Sequence, residues 1–324
     1  MCKFYSAIVL KNGDLLHNEN LLSHEDIIDY FNIHDTPGNV SKFVRVEYTP
    51  EETSDLPNIG KYRLVVDESS TPTWFEKHKE YVTEKLKEIV SRRIITSNQK
   101  ILTGGLYVVK DCVIDRLKVA TIVYLQGTVQ EVRDGGTVQE VWGGGTVQEV
   151  LAGGTVQKVR DGGTVQEVRD GGTVQEVRNG GTVQGVLGGG MVHEVWNSGT
   201  VQKVCCGGTV QKVWAGGTVQ EVWDGGTVQE VWNGGTVQEV WGGGTVQRVL
   251  AGGTVQEVLN GGTVQKVLNG GTVQKVWCGG TVQRVWNGGT VQEVRYGGTV
   301  QEVRDGGTVQ EVRDGAIVNG VTKL

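Results

Sequence analysis

From Thr128 onwards the chain repeats itself every nine residues. The unit T-V-Q-x-V-x-x-G-G recurs as TVQEVRDGG, TVQEVWGGG, TVQEVLAGG and TVQKVRDGG, twenty-one times as far as Gly315, and closes with the degraded copy IVNGVTKL. A fixed short period gives every unit an equivalent place in the fold. Five β-compatible residues followed by glycines are too short for an ordinary helix, so each unit reads as a strand and a corner. The Gly-Gly pair allows backbone angles closed to other residues and supplies that corner. The expected fold class is mainly β: a parallel β-solenoid of nine-residue repeats with a small N-terminal α+β domain.

Two units per coil give an eighteen-residue turn, and eleven coils rising about 4.8 Å each make a rod on the order of 50 Å long. Three units per coil, with a wider triangular section, is the alternative. The two valines of a unit, such as Val129 and Val132, are three residues apart, so both face the core only if the strand bends between them. Thr128 and Gln130, with their equivalents, are candidates for side-chain ladders between coils.

The glycines divide the chain in two, since almost all 51 follow residue 103. Residues 1–100 read as a small α+β domain of order ββαββα. Phe4 to Leu10 and Leu15-Leu16 flank an Asn12-Gly13 turn, Val44 to Tyr48 and Tyr62 to Val66 alternate as strands, and two helices cover them. Ser23 with Asp26 and Thr73 with Glu76 mark the helix starts as capping boxes. Ile27, Ile28, Tyr30 and Phe31 form the buried side of the first helix; Phe75, Val82, Leu86 and Ile89 form that of the second. Residues 101–127 form an irregular β cap, with Val108, Val109, Val113, Ile114, Leu117, Val119, Ile122 and Val123 in the strands of the first coils. The solenoid occupies 128–324. Ala316, Ile317, Asn319 and Gly320 make a weaker cap at its far end, where an uncovered edge is open to pairing.

The fourth, sixth and seventh positions vary and are expected to face solvent. The alternatives at each are mostly single-nucleotide neighbours, which fits duplication of a 27-nucleotide unit followed by drift. The sixth position also carries a functional reading. Trp196, Trp214 and Trp232 fall on one face, and Trp223 and Trp241 on the other, which makes these five the candidate binding surface.

The unit GGTVQEVWD resembles the calcium-binding RTX nonapeptide GGxGxDxUx in its length, its two glycines and its large apolar residue. The resemblance implies two nonapeptides per coil. It does not extend to calcium, because Lys158, Lys203, Lys212, Arg248, Lys266, Lys275 and Arg284 stand where the ligating Asp belongs and would repel the metal. The chain is also similar to uncharacterised bacterial and phage-type proteins that join a small N-terminal domain to short tandem β-solenoid repeats. That similarity implies a fold and no assigned activity. Ice-binding solenoids expose flat rows of Thr, unlike the bulky, charged variation here.

Cys2 after Met1 would suit an N-terminal nucleophile of the kind amidotransferases use, but the glycine those enzymes place next is here Lys3. His17, His24, His34 and His78 are scattered, and His193 replaces a repeat Gln, so no metal site is expected. Cys2, Cys112, Cys205, Cys206 and Cys278 show no metal or redox spacing and suggest a reducing, cytoplasmic setting. The start lacks a secretory signal pattern, and no apolar run is long enough for a membrane span. A net charge of −6 carrying 31 Lys and Arg indicates no specific nucleic-acid partner. The expectation is a non-enzymatic structural or interaction protein without cofactors: a rigid spacer or multivalent surface for a protein or polymer. Self-assembly through open solenoid ends, and a small N-terminal effector or enzyme carried on the repeat, are the alternatives.

Overall fold

The computed structural model describes residues 5–21, 23–34 and 42–320. The N-terminal unit holds β1 (Ser6–Leu10), β2 (Leu15–Leu16), α1 (His24–Tyr30), β3 (Phe43–Thr49), β4 (Arg63–Val66) and α2 (Lys79–Ser91). Its strands form an antiparallel sheet in the order β2-β1-β3-β4. Alternation along β1 sends Ala7 and Val9 to one face, where Val82, Leu86 and Val90 of α2 pack, and Ile8 to the other, against Ile27 and Ile28 of α1.

Two local expectations need correction. Tyr30 and Phe31 are exposed, because α1 is only two turns long: Tyr30 points away from the Ile27–Ile28 stripe and Phe31 is already the C-cap. The Thr73–Glu76 box does not open a helix. Residues Phe75–Lys77 take a 3₁₀ turn that buries Phe75, and α2 starts only after His78, without a side-chain cap. Ser23 does cap α1, its hydroxyl accepting from the Asp26 N–H at 3.0 Å.

The solenoid sheet begins with β5 (Ile94–Ile95), β6 (Gln99–Thr103), β7 (Leu106–Lys118) and β8 (Thr121–Arg133), and continues with one strand per unit. Thr128 pairs in parallel with Thr146, eighteen residues on, so two units make a coil and the three-unit arrangement is excluded. Before the repeat the coils are tighter: Val113 pairs with Thr128 and Leu106 with Thr121, fifteen residues apart. Ile114 with Leu117, and Ile122 with Leu125, are also three apart, and all four are buried in the valine core. The irregular segment thus carries the same strand bend as the repeat. Val119 is the exception, exposed at a left-handed corner.

Among the described residues, eleven repeat strands stack on each of two faces, face one starting at Thr128 and face two at Thr137. The paired positions are Thr, Val, the fourth residue and the second Val, with Gln left out of the register. That omission is the bend. It turns the third and fourth side chains outward together and points both valines in, so Val129 and Val132 are fully buried. The glutamines lie on the outer side, and among the described residues no hydrogen bond joins one Gln amide to the next. Outward amides are satisfied by solvent, so the expected ladder has no driving force.

The corner differs from the one expected. The seventh and eighth residues, not the Gly-Gly pair, take the left-handed conformation: Asn233 has φ 46° and Gly234 φ 81°. The Gly235 N–H donates to the Trp232 carbonyl at 2.9 Å, closing a tight turn of type I′. The ninth residue is Gly for another reason. A Cβ on Gly217 would run into the carbonyl of Val195 on the preceding coil, whereas one on Gly216 meets nothing closer than 3.9 Å.

The N-terminal unit sits on the first coils. Leu106, Val108 and Tyr124 join Ala7, Val9 and Leu86 in one core. Arg93 pairs with Glu19 and lies 5.3 Å from the Tyr107 ring centroid, and the Gly105 N–H donates to Asn20 Oδ1 at 2.6 Å.

Candidate functional site

The sixth residue of each unit follows its strand directly. Its backbone is tied to the coil before, as when the Trp214 N–H donates to the Val195 carbonyl and the Trp232 N–H to the Val213 carbonyl, both at 3.0 Å. Sixth residues eighteen apart therefore form a row along each face, one coil rise between neighbours. Identical flat side chains at that spacing stack with a lateral offset.

On face two, the Trp196 and Trp214 rings lie 5.3 Å apart at 14°, and Trp214 and Trp232 5.5 Å apart at 11°. On face one, Trp223 and Trp241 lie 5.1 Å apart at 6°. The structure thus brings all five candidate tryptophans into two stacks, but not as freely exposed rings. They are half-buried, because each covers the flat face of the next. The expectation of a solvent-facing sixth position is corrected accordingly. The seventh position is mostly exposed, while the fourth is mostly half-buried beside the sixth.

Cations close the N-terminal end of the face-two row. Arg178 lies 5.0 Å from the Trp196 ring centroid. Further along, Arg160 lies 3.9 Å over Trp142, and Glu140 accepts from both, at 2.7 Å from Arg160 and 2.9 Å from Trp142 Nε1. The indole N–H groups of Trp196, Trp214, Trp223 and Trp232 are buried and have no acceptor among the described residues. Fourth-position charges pair between coils: Lys212 with Glu194 at 3.7 Å, Arg248 with Glu230 at 2.5 Å and Lys275 with Glu257 at 3.3 Å. Each face therefore repeats three outward positions at every coil: a Gln amide and a charge in nearly all units, and an indole edge where the sixth residue is Trp. The single residue could not reveal this arrangement, since the fourth and sixth positions become neighbours of the next coil only through the eighteen-residue register.

The histidines fall in unrelated places. The Tyr5 hydroxyl lies 3.1 Å from His17 Nδ1, and the His78 ring lies 6.2 Å from that of Trp74. His193 occupies a third position on face two. His24, the first residue of α1, is buried beside Glu47 and Asp67, a grouping the sequence spacing does not show. Cys2 lies outside the described residues. Among those described, no helix is long and apolar enough to cross a membrane.

A scan against models of known protein families gives no match, and a search of curated proteins gives none. Among solved structures the chain is similar to the TibC-catalyzed hyper-glycosylated TibA55-350 fragment. The identity is 24%, the match covers 70% of this chain and 92% of that one, and the TM-score is 0.39. That likeness is too distant to bear on function.

Proposed function

We propose that this protein is a non-enzymatic scaffold whose solenoid is a rigid spacer and a multivalent surface for an extended protein or polymer. The observation that carries the reading is the unbroken register from Thr128 to Val318, which presents equivalent outward positions at every coil. Linked weak contacts at equal spacing gain effective concentration, so a partner need not bind any single coil tightly. The contact surface is the edge of the two tryptophan stacks, Trp196, Trp214 and Trp232 on face two and Trp223 and Trp241 on face one. A cytoplasmic setting is part of this proposal and rests on the sequence alone, where the five cysteines show no disulfide-framework spacing.

Affinity electrophoresis of the full chain through gels holding candidate polysaccharides, with peptide arrays in parallel, tests this reading. Retardation by one class, lost when Trp214, Trp223 and Trp232 are replaced together by Leu, is the expected result. Retention by both proteins alike would remove the tryptophans from the site.

Self-assembly is favoured as a second reading by one observation. Val312 and Ile317, in the last strands, are each 53% exposed, so the far end presents an apolar edge. Light scattering coupled to size-exclusion chromatography should show mass rising with concentration, and Val312→Lys with Ile317→Lys should hold the chain at its 35.0 kDa monomer. A monomer at every concentration ends that reading.

A further inference from the structure

The fourth residues are paired in register from coil to coil, so each face carries a line of charge along the rod. On face one a stretch of that line reads Lys203, Glu221, Glu239, Glu257, Lys275. On face two a stretch reads Glu230, Arg248, Lys266, Arg284, Glu302. Position by position, the second is the inverse of the first. Three like charges stand in the middle of each stretch, and one opposite charge closes each end.

Like charges directly opposite one another in a sheet repel. The chain relieves that repulsion only at the edges of the runs: Lys275 lies 3.3 Å from Glu257, Glu230 pairs with Arg248, and Glu302 lies 3.6 Å from Arg284. Glu239 and Lys266, at the two centres, have like charges on both sides and no ion pair among the described residues. The sixth residues beside the runs are Trp or Leu and bring no charge. The remaining run of three, Glu131, Glu149 and Glu167, differs, because Arg133 and Arg169 in its sixth positions pair with all three. What is left unpaired in the monomer is thus an acidic row on face one and a basic row of equal length on face two.

We propose that the protein stacks on further copies of itself side by side, face one of one rod lying antiparallel on face two of the next, with Glu239 opposite Lys266. Both stretches read the same in either direction, so the direction is set by what surrounds them. The two strands of a coil must run in opposite directions to close it. Turning the second copy end for end aligns its face-two strands with the face-one strands, and the fourth residues meet without a sideways shift. The match then extends by one coil, Glu293 meeting Lys212 of the second copy, while Gly185 meets Gly320. Beyond that, Glu311 faces Glu194, each already paired in its own chain, with Arg313 at 2.7 Å and Lys212 at 3.7 Å. The two N-terminal units fall outside the overlap, at opposite ends. Because unlike faces are joined, each copy keeps one face free and the assembly grows past a dimer. Single surface pairs contribute little, but a row held in register acts as one linked contact. This contact rests neither on the scaffold reading nor on the apolar far end.

The test is sedimentation velocity of the full chain, freed of nucleic acid, over a concentration series at about 0.01 M and about 1 M salt, where the Debye length is about 30 Å and about 3 Å. At low salt the mass should climb past twice the 35.0 kDa monomer. At high salt this growth should vanish, whereas an apolar end-to-end contact persists, which separates the two. Arg248→Glu, Lys266→Glu and Arg284→Glu together should abolish the salt-sensitive growth, and so should Glu221→Lys, Glu239→Lys and Glu257→Lys together. Both exchanges place residues that the repeat already carries at its fourth position, so the fold is kept. Mixed in equal amounts, the two variants should associate again, because each supplies the face the other has lost. Absence of salt-sensitive growth in the wild type overturns the proposal, as does a mixture that stays apart. So does growth lost in the face-two variant alone, because the basic row then holds an acidic polymer and not a second copy.

Discussion

Three residues per unit make the corner, and each is chosen by different physics. Asp or Asn fills twelve of the twenty-one seventh positions, which suits a left-handed residue, since their short polar side chains tolerate that conformation. The variation there is therefore not simple drift. Ala152, Ala215 and Ala251 hold the same conformation at φ 48°, 45° and 40°, with a Cβ that opposes it. Ala215→Asn should stabilise its coil by about 0.5–1 kcal/mol, part of the 1–2 kcal/mol left-handed penalty, read as slower amide exchange at neighbouring valines. The ninth position admits no such choice. Gly217→Ala should cost about 1–3 kcal/mol by overpacking, while Gly216→Asn should cost less. The chain already carries Ser198 at an eighth position, with φ 62°. Equal losses from both glycine variants would refute the steric account.

Within the elements, stacking and burial set the local energetics. The tryptophan rows are worth about 0.5–1.5 kcal/mol per ring pair beyond area burial. Trp214 touches two rings, so Trp214→Leu should destabilise more than Trp241→Leu in denaturant melts, because Trp241 has one ring partner in its row. Leu250 and Leu268 show that leucine fits the row. In the N-terminal unit, burial pushes the Tyr5 hydroxyl up to about 12, so it stays protonated and can donate to His17 Nδ1. Burial also holds His17 below its ordinary 6.5, with Arg93 adding to the effect and Glu19 opposing it. The folded state therefore disfavours the His17 proton. Its contribution is complete above 6.5 and is lost as pH falls below that value through the folded one. Protection factors of the β1 amides, corrected for the intrinsic pH dependence of exchange, should fall between pH 7 and 5 in the wild type, and His17→Gln should flatten that dependence.

The whole molecule is a graded stack with different ends. At the start, Arg93, Glu19 and the shared core of Leu106, Val108 and Tyr124 cover the first coils with the N-terminal unit. At the far end Val312 and Ile317 are open. Because each coil touches only its neighbours, stability should propagate along the rod as a sum of local terms. Exchange protection should be greatest at the central valines and fall toward Val318 more steeply than toward Val129. Lys-substituted Val312 and Ile317 should change association without changing protection at the centre. A loss of central protection would mean that the last coils support the entire rod.

The nine-residue period, strand then corner, and the need for a bend between two inward valines were legible in the residues alone, because a strict repeat forces every unit into one environment. The same period left open whether two or three units close a coil. It also assigned the corner to the wrong pair of residues, because Gly-Gly advertises flexibility without saying which glycine is left-handed and which is merely small. Only the packing of Gly217 on Val195 separates those roles. The candidate tryptophans were visible as a list, but their mutual shielding exists only once residues eighteen apart are one coil rise away. His24, Glu47 and Asp67 are 23 and 20 residues apart in sequence and carry no motif. They meet because the sheet pairs β3 with β4 beneath α1, a long-range arrangement that no local spacing encodes.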